Sequence, residues 1–398
     1  MFINLEQLPA DPILGLIKQF GEDPREHKID LGVGVYKDNQ GLTPVMQAVQ
    51  HAEQKLFADQ TTKSYIGPLG VPQFNEAMKL LVLGQRHSVL NEQRIALVQT
   101  PGGCGALRVA AELIKRSHGA PTIWVSEPTW GNHTPLLGDS GLNIRSYPYY
   151  DFGKHRIQFD AMLSCLNQVP AGDFVLFHGS CHNPSGADLT REQWQQLVQL
   201  VQRRGFTPFI DLAYQGFGEG TEQDAYGFRL MAEQLPECVL AVSCSKNFGL
   251  YRERVGALAV TTETVASAQA VTTHIARVVR GIYSMPPSHG ALIVAQILAD
   301  PNLYKVWQEE LSQMRQRLLH TRANLVEQLR QRGLGDRFDF LAREKGMFSF
   351  LGLKPEQVVA LAEQFAIHML GNSRISVCGL NGANIDYFAE ALAAVSAR

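Results

Sequence analysis

No long run of one charge sign occurs in this 398-residue chain, and no apolar stretch nears the ~20 residues of a membrane-spanning helix. Thirty-six Lys and Arg oppose 38 Asp and Glu, a formal net charge of −2. That balance argues against a nucleic-acid footprint and against a membrane-surface patch. Cysteine is scarce. Cys104, Cys165, Cys181, Cys238, Cys244 and Cys378 are scattered and never in C-x-x-C spacing, which suggests reduced thiols in a cytoplasmic protein and not a disulfide framework. The stretch MFINLEQLPADPILGLIKQF lacks a basic region followed by an apolar one, so a secretory signal is not expected. Internal repeats and low-complexity segments are missing too. What is present is an ordinary globular mixture, 45% hydrophobic and 19% charged, long enough for a large core and for two domains.

Short apolar runs bounded by turn residues predict buried strands at Ile95–Gln99, Thr122–Ser126, Phe174–His178, Pro208–Asp211, Val239–Ser243 and Val255–Val260. Helical patterns lie among them at Ala106–Ser117, Arg191–Arg204 and Gln223–Gln234. Continuous apolar strands alternating with amphipathic helices imply an α/β fold, with a mostly parallel sheet covered on both faces. Val255–Val260 follows its predecessor closely, which suits an antiparallel run. A long helical region spans His289–Arg332, with Pro301 set to break or kink it. Beyond it come a strand FSFLGL, a helix over Gln357–Met369, a strand RISVCGL and a terminal helix. The compositional change after the long helix suggests a second, smaller α+β domain. The expected division is 41–300 for the large domain and 301–398 for the C-terminal part of the small one. Residues 1–40, too short to form a domain alone, would pack on the small domain.

Ligands of open parallel sheets lie beyond the carboxyl ends of the strands, and the unusual loops of this chain fall there. TPGG follows the first predicted strand, EPTW the second, HGSCHNPSG the third, DLAYQG the fourth and SCSK the fifth. In TPGGCGAL, glycines opening a helix leave backbone N–H groups free to cradle a phosphate, although a lone glycine cluster is more often a plain turn. The dinucleotide fingerprint fails, because Arg108 stands where Gly or Ala is required, and there is no Walker lysine. A single phosphate fits better.

The stretch SCSKNFGLYRER adds Ser243 and Ser245 as phosphate donors and an arginine fork. An isolated R-E-R is more often a solvated pair around Glu253. Asp211 ends an apolar strand, where a carboxylate is costly without a positive partner. It could be a helix cap or an ion-pair member, or it could meet a protonated ring nitrogen. Asn183 precedes the tight turn of Pro184 and Gly186. His178 and His182 lie four apart but lack a third ligand, so a metal is disfavoured. Trp130 could stack on a flat ring or could fill core. Lys246 is crowded by Ser243, Cys244 and Ser245, company that a solvated lysine does not need. Each signal alone is weak or moderate. Together they supply a phosphate cradle, a carboxylate for a pyridine nitrogen, a stacking surface and a lysine for a Schiff base, the parts of a pyridoxal phosphate site.

The runs LGVGVYKD, TTKSYIG, QTPGGCGALRVAA, CHNPSG, DLAYQGF, SKNFGLYRERVG, IYSMPPSHGA and GMFSF are together highly specific. Through them the chain resembles the class I aminotransferases of the aspartate/aromatic subgroup, from DPILGL to the C-terminal helix. The resemblance implies the type I pyridoxal-phosphate fold, with a seven-stranded, mostly parallel sheet. It also implies roles for particular residues. Lys246 would hold the cofactor aldehyde and, once displaced, move a proton between the substrate α-carbon and the cofactor C4′. Asp211, supported by His133, would keep the pyridine nitrogen protonated. Tyr214 and Asn183 would bind the phenolic oxygen, and Trp130 would stack on the ring. Gly103, Cys104, Ser243, Ser245 and Arg254 would surround the phosphate. Tyr65 would reach that phosphate from the other subunit of a homodimer.

For substrate, the resemblance assigns Arg374 to the α-carboxylate and Arg280, from the partner subunit, to the side-chain carboxylate. Trp130 and Asn183 would also touch substrate, and Val33 and Gly34 would lie on a segment that closes over it. Two arginine forks suit aspartate and glutamate. Three positions depart from the aspartate-type pattern. Cys104 replaces the usual hydroxyl donor to phosphate, and a thiol donates weakly, so looser cofactor retention is expected. Met285 and Ser64 stand where asparagine is common, and an adaptable Met widens the site toward aromatic substrates. Val35, Lys37 and Thr43 keep the aspartate-type pattern. The expected activity is transamination of aspartate with 2-oxoglutarate, with tyrosine or phenylalanine as secondary donors. Competing readings are an aromatic-preferring relative, β-elimination or decarboxylation on the same cofactor, and a nicotinamide dehydrogenase. A non-catalytic amino-acid-binding regulator is disfavoured because no spare segment or basic recognition helix is available for DNA.

Overall fold

Seven strands form the large sheet: β1 (Ile95–Pro101), β2 (Thr122–Glu127), β3 (Asn143–Pro148), β4 (Phe174–His178), β5 (Thr207–Leu212), β6 (Cys238–Ser243) and β7 (Val255–Thr261). The computed structural model, which describes residues 2–8, 11–118 and 121–396, orders them β1-β7-β6-β5-β4-β2-β3. Only β7 runs against its neighbours. This is the seven-stranded, mostly parallel sheet that the resemblance implied, and the antiparallel run of Val255–Val260 holds. β6 and β7 are buried along their whole length, as strands covered on both faces must be. The sequence pattern missed β3. Its residues NIRSYP are mostly polar and exposed, because an edge strand with one neighbour needs no continuous apolar run.

Side chains alternate across the sheet, so each strand feeds two cores. On one face, Val98, Leu176, Phe209, Ala241 and Leu258 join Ala106, Val109 and Ala110 of the helix Gly102–His118. Ile275, Val278 and Val279 of the helix Val265–Ile282 complete that core. On the other face Phe177 meets Trp194 of the helix Arg191–Arg204, ring centroids 5.9 Å apart. Gly227 of the helix Tyr226–Gln234 leaves no room for a Cβ against the same indole.

Three helix boundaries differ from expectation, each for a local reason. The helix expected at Gln223–Gln234 is two pieces, Thr221–Asp224 and Tyr226–Gln234. Between them the Asp224 carboxylate accepts from Gly216, Gly218 and Glu219 backbone N–H groups at 2.8–2.9 Å. The region His289–Arg332 breaks at Asp300, which is extended and caps the next helix through Asn302 N at 2.9 Å. Pro301 is the first residue of that helix, Pro301–Leu329, where its missing N–H does no harm. The helix expected at Gln357–Met369 ends at Phe365, because Ala366 turns left-handed and Ile367–His368 becomes a strand.

Pro44–Arg317 forms one compact unit and carries the large sheet; Met1–Thr43 with Leu318–Arg398 forms the other. In the second unit Ile29–Asp30 pairs with Ile367–His368, and Phe348–Phe350 with Arg374–Ser376. Buried Arg322 ties the end of the long helix to the segment that leads into Phe348–Phe350. Its guanidinium donates to Ser349 Oγ at 2.6 Å, Phe348 O at 2.7 Å and Gly346 O at 2.9 Å. No helix of the described residues is long and apolar enough to cross a membrane.

Candidate active site

The carboxyl ends of β1 and β6 meet at the turn into the helix Gly102–His118. β7 lies between them, and Gly256 pairs with Thr100 on one side and Ser243 on the other. A Cβ at Gly256 would strike Val242 O and come within 2.5 Å of the Gly102 carbonyl carbon. Glycine at 256 therefore lets the helix start close beside Ser243. Gly102 adopts φ +70, and a Cβ there would lie 2.5 Å from the Arg254 guanidinium, so a second glycine is required. Gly103 lies against Ser243. Arg254 donates to Ser245 Oγ at 3.3 Å and to Tyr251 O at 2.9 Å, and the Ser245 backbone N–H donates to Ser243 Oγ at 3.2 Å. Helix N-terminal N–H groups, two hydroxyls and a guanidinium thus lie side by side, the donor set an anion requires. Cys104 stands on the first turn of that helix, 4.0 Å from Asn132 Nδ2. Burial pushes its thiol up, against the pull of Arg254.

Asp211, near the end of β5, is buried and accepts from His133 Nε2 at 3.0 Å. The proton positions behind it follow from one backbone donor. The Asn183 N–H can only donate, so His178 Nδ1 accepts at 3.4 Å and Nε2 carries the hydrogen. That hydrogen goes to Thr129 Oγ1 at 3.2 Å, whose own hydroxyl turns to His133 Nδ1 at 2.8 Å. His133 Nε2–H is then left for Asp211. Burial alone would raise the Asp211 carboxyl; the hydrogen bond from His133 and the electrostatic pull of His133, His178 and Lys246 hold it below the usual carboxylate range. The Asp211 carboxylate is therefore built to stay anionic inside the protein.

Lys246 follows β6 and lies 4.8 Å over the Tyr214 ring. Burial, joined by the Arg254 charge, pulls its amine below the ordinary lysine value, while Asp211 and Cys104 act in the opposite sense. Trp130 packs edge-to-face on His133, centroids 5.3 Å apart. Asn183 is buried, and its side-chain oxygen has no partner among the described residues. One cluster thus holds Lys246, Asp211, Tyr214, Trp130, Asn183, Gly103, Cys104, Ser243, Ser245 and Arg254. Neither His178 nor His182 belongs to a group of three or more metal-ligating side chains among the described residues. They are packed rings instead, 4.1 Å apart.

Two candidates of the same unit stand on its surface. Tyr65 is 93% exposed. Arg280 is exposed at the end of its helix, donating to Ser284 Oγ. Arg374 and Gly34 belong to the other unit. There the Arg374 guanidinium lies 4.3 Å over the Phe348 ring and donates to Gly32 O at 2.8 Å. A Cβ at Gly34 would press on the same ring at 2.6 Å. Lys37 pairs with Asp30 at 3.0 Å and Thr43 Oγ1 donates to Tyr36 O at 2.9 Å, so both hold this N-terminal segment in shape. The sequence pattern did not mark Thr129 as the link between two histidines or Arg322 as the support of Phe348. EPTW and the mid-helix position of Arg322 gave no hint of either.

The family model for aminotransferases of class I and II matches residues 26–392. The chain is 44% identical over 395 residues to the aspartate aminotransferase of Escherichia coli, covering 99% of this chain and 100% of that one. It is 45% identical over 396 residues to the aromatic-amino-acid aminotransferase of Pseudomonas aeruginosa, covering 100% of this chain and 99% of that one. Among solved structures, the Burkholderia pseudomallei aromatic-amino-acid aminotransferase covalently bound to pyridoxal phosphate matches with a TM-score of 0.98 at 40% identity, covering 99% of each chain.

Proposed function

The chain belongs to the class I and II aminotransferases, and from that premise we propose that its amino donor is aspartate and its acceptor 2-oxoglutarate, with tyrosine or phenylalanine as secondary donors. It is a pyridoxal-phosphate-dependent transaminase. The residues present fit the cofactor. Asn183 offers a buried oxygen without a partner, Asp211 is held anionic, and Gly102 leaves the cradle open beneath Arg254. Bound there, pyridoxal phosphate supplies an electron-poor ring that draws charge from a deprotonated amino acid.

The chain's own residues do the rest. Asp211 holds a proton on the ring nitrogen, and its charge is sustained by His133. Tyr214 and Asn183 orient the phenolic oxygen. Ser243, Ser245, Arg254, Gly103 and Cys104 anchor the phosphate. Lys246 is the cofactor's resting attachment and, once free, the base that moves the proton at the substrate α-carbon. Its lowered amine supports that role, since a base must be able to shed its own proton. Arg374 takes the α-carboxylate and Arg280 the side-chain carboxylate, with Gly34 on the closing segment. Exposed Tyr65 and Arg280 suit a homodimer in which each copy lends both to its neighbour. A cytoplasmic location accords with the scattered cysteines.

The observation that carries this reading is one buried cluster joining a desolvated lysine to an anionic aspartate beside an anion cradle. The test is direct: purified protein should show a visible absorption band that shifts with aspartate and returns with 2-oxoglutarate. Borohydride should then leave the reduced adduct on Lys246; an adduct elsewhere, or none, would overturn the assignment. An aromatic preference is the second reading, favoured by apolar Met285 and by aromatic-named relatives as similar as the aspartate-named ones. Phenylalanine exceeding aspartate in kcat/KM by orders of magnitude would select it.

A further inference from the structure

Gln99 is a fully buried amide on β1, just ahead of the cradle turn. A polar side chain inside an apolar strand is costly unless it is hydrogen-bonded, and Gln99 is bonded at both ends. Its Oε1 accepts from Val71 N at 2.9 Å, and its Nε2 donates to Pro287 O at 2.7 Å. Its backbone N–H donates to Leu69 O at 3.2 Å. Gly70 has φ +82, and a Cβ there would lie 2.5 Å from Gln99 Oε1; glycine lets the chain lie flat on the amide. The two bonded segments are far apart in sequence. One runs back through the Gly67–Gly70 turn, closed by Gly70 N to Gly67 O at 3.3 Å, to Tyr65 and Ser64. The other carries Met285 and runs back to Ser284, which Arg280 grips. Tyr65 and Arg280 are both exposed, so burial of their own side chains does not place them. The backbone beneath them must.

We propose that Gln99 is a positioning residue whose amide clamps the Tyr65-bearing and Arg280-bearing segments together, and so sets the discrimination between dicarboxylic and aromatic substrates. This rests on the roles given above to Arg280 and Tyr65. A bidentate fork tolerates little displacement, and a shift of ~1 Å can cost a hundredfold in rate.

The test compares holoenzyme carrying Gln99→Met or Gln99→Glu. Met keeps the length and loses both hydrogen bonds; Glu keeps an acceptor for Val71 and loses the donor to Pro287. For Gln99→Met, KM for aspartate should rise about tenfold with kcat and phenylalanine turnover retained, and pyridoxal phosphate should be lost faster on gel filtration. Gln99→Glu should show the aspartate KM change with ordinary cofactor retention, and it decides the matter alone if the Met variant does not fold. Arg280→Ala is the reference. If it leaves aspartate selectivity intact, the role of Arg280 is what fails. If it lowers that selectivity while the folded Gln99 variants keep the original KM values, the clamp is overturned. An equal fall in kcat for every substrate marks a merely structural amide and overturns it too.

Discussion

In the proposed mechanism Lys246 acts as a base only after shedding its proton, and its surroundings favour that. Burial and the Arg254 charge lower the amine, while the charge of Asp211 acts in the opposite sense. The sequence signalled this residue by its company of serines and cysteine; it could not show that Tyr214 lies beneath it. Cys104 is legible in the same way, as a thiol in a cradle of hydroxyls and amides. Its thiol is raised by burial and remains a weak donor to a phosphate. Cys104→Thr should tighten pyridoxal phosphate about fivefold, the ~1 kcal/mol of an ordinary hydrogen bond. Measuring the cofactor dissociation constant checks this, and an unchanged value removes the thiol as the weak point. Thr129 was not legible as a relay member, because its partners His133 and His178 come together only when β2 and β4 pair.

Among the elements, β7 acts on the site through a glycine whose role its sequence does not reveal. Its two-glycine contact with the cradle, Gly256 on Gly102, sets how near the helix N-terminus comes to Ser243. The sequence shows Gly256 as one glycine in an apolar run, which is equally a bulge or a close approach. Gly256→Ala would drive a methyl into the Val242 carbonyl and the Gly102 backbone, neither of which can turn aside. Overpacking of this kind costs about 1–3 kcal/mol, and cofactor affinity should fall with it. Thermal unfolding together with cofactor titration checks both effects; an Ala variant equal to wild type in each would refute the close contact. Edge strand β3 went unseen for the opposite reason: it is polar and half-solvated, so nothing in its pattern demands burial.

Across the whole molecule, the buried histidines work against stability in acid, partly offset by the Asp224 carboxyl, which burial pushes up to about 6. Burial, with the electrostatic influence of neighbouring His133, lowers His178 from 6.5 to about 3, while Asp211 pulls the other way. His182 moves in the same direction. A histidine lowered in the folded state is protonated first in the unfolded chain, so its stabilising contribution is whole above pH 6.5 and drains away as pH falls toward 3. Each such ring contributes a slope of up to ~1.4 kcal/mol per pH unit in that window. The depressed Asp211 carboxyl adds a further loss only below its ordinary value of 3.8. Unfolding midpoints of the holoenzyme should therefore drop steadily from pH 6.5 to 4; a flat profile there would contradict neutral buried rings.

The sequence alone determined the α/β class, the strands facing both ways into apolar cores, and the loops that carry Lys246, Asp211, Asn183, Trp130 and Arg254. Those features are written in local periodicity and in residue types at strand ends, which neighbours in the chain suffice to specify. Tertiary structure decided the rest: the direction of each histidine proton, the charge state of Asp211, the room that Gly256 and Gly102 leave for the cradle, and the two bonds of Gln99. These depend on atoms brought within a few ångströms from distant strands, and hydrogen bonding and desolvation act only at that range.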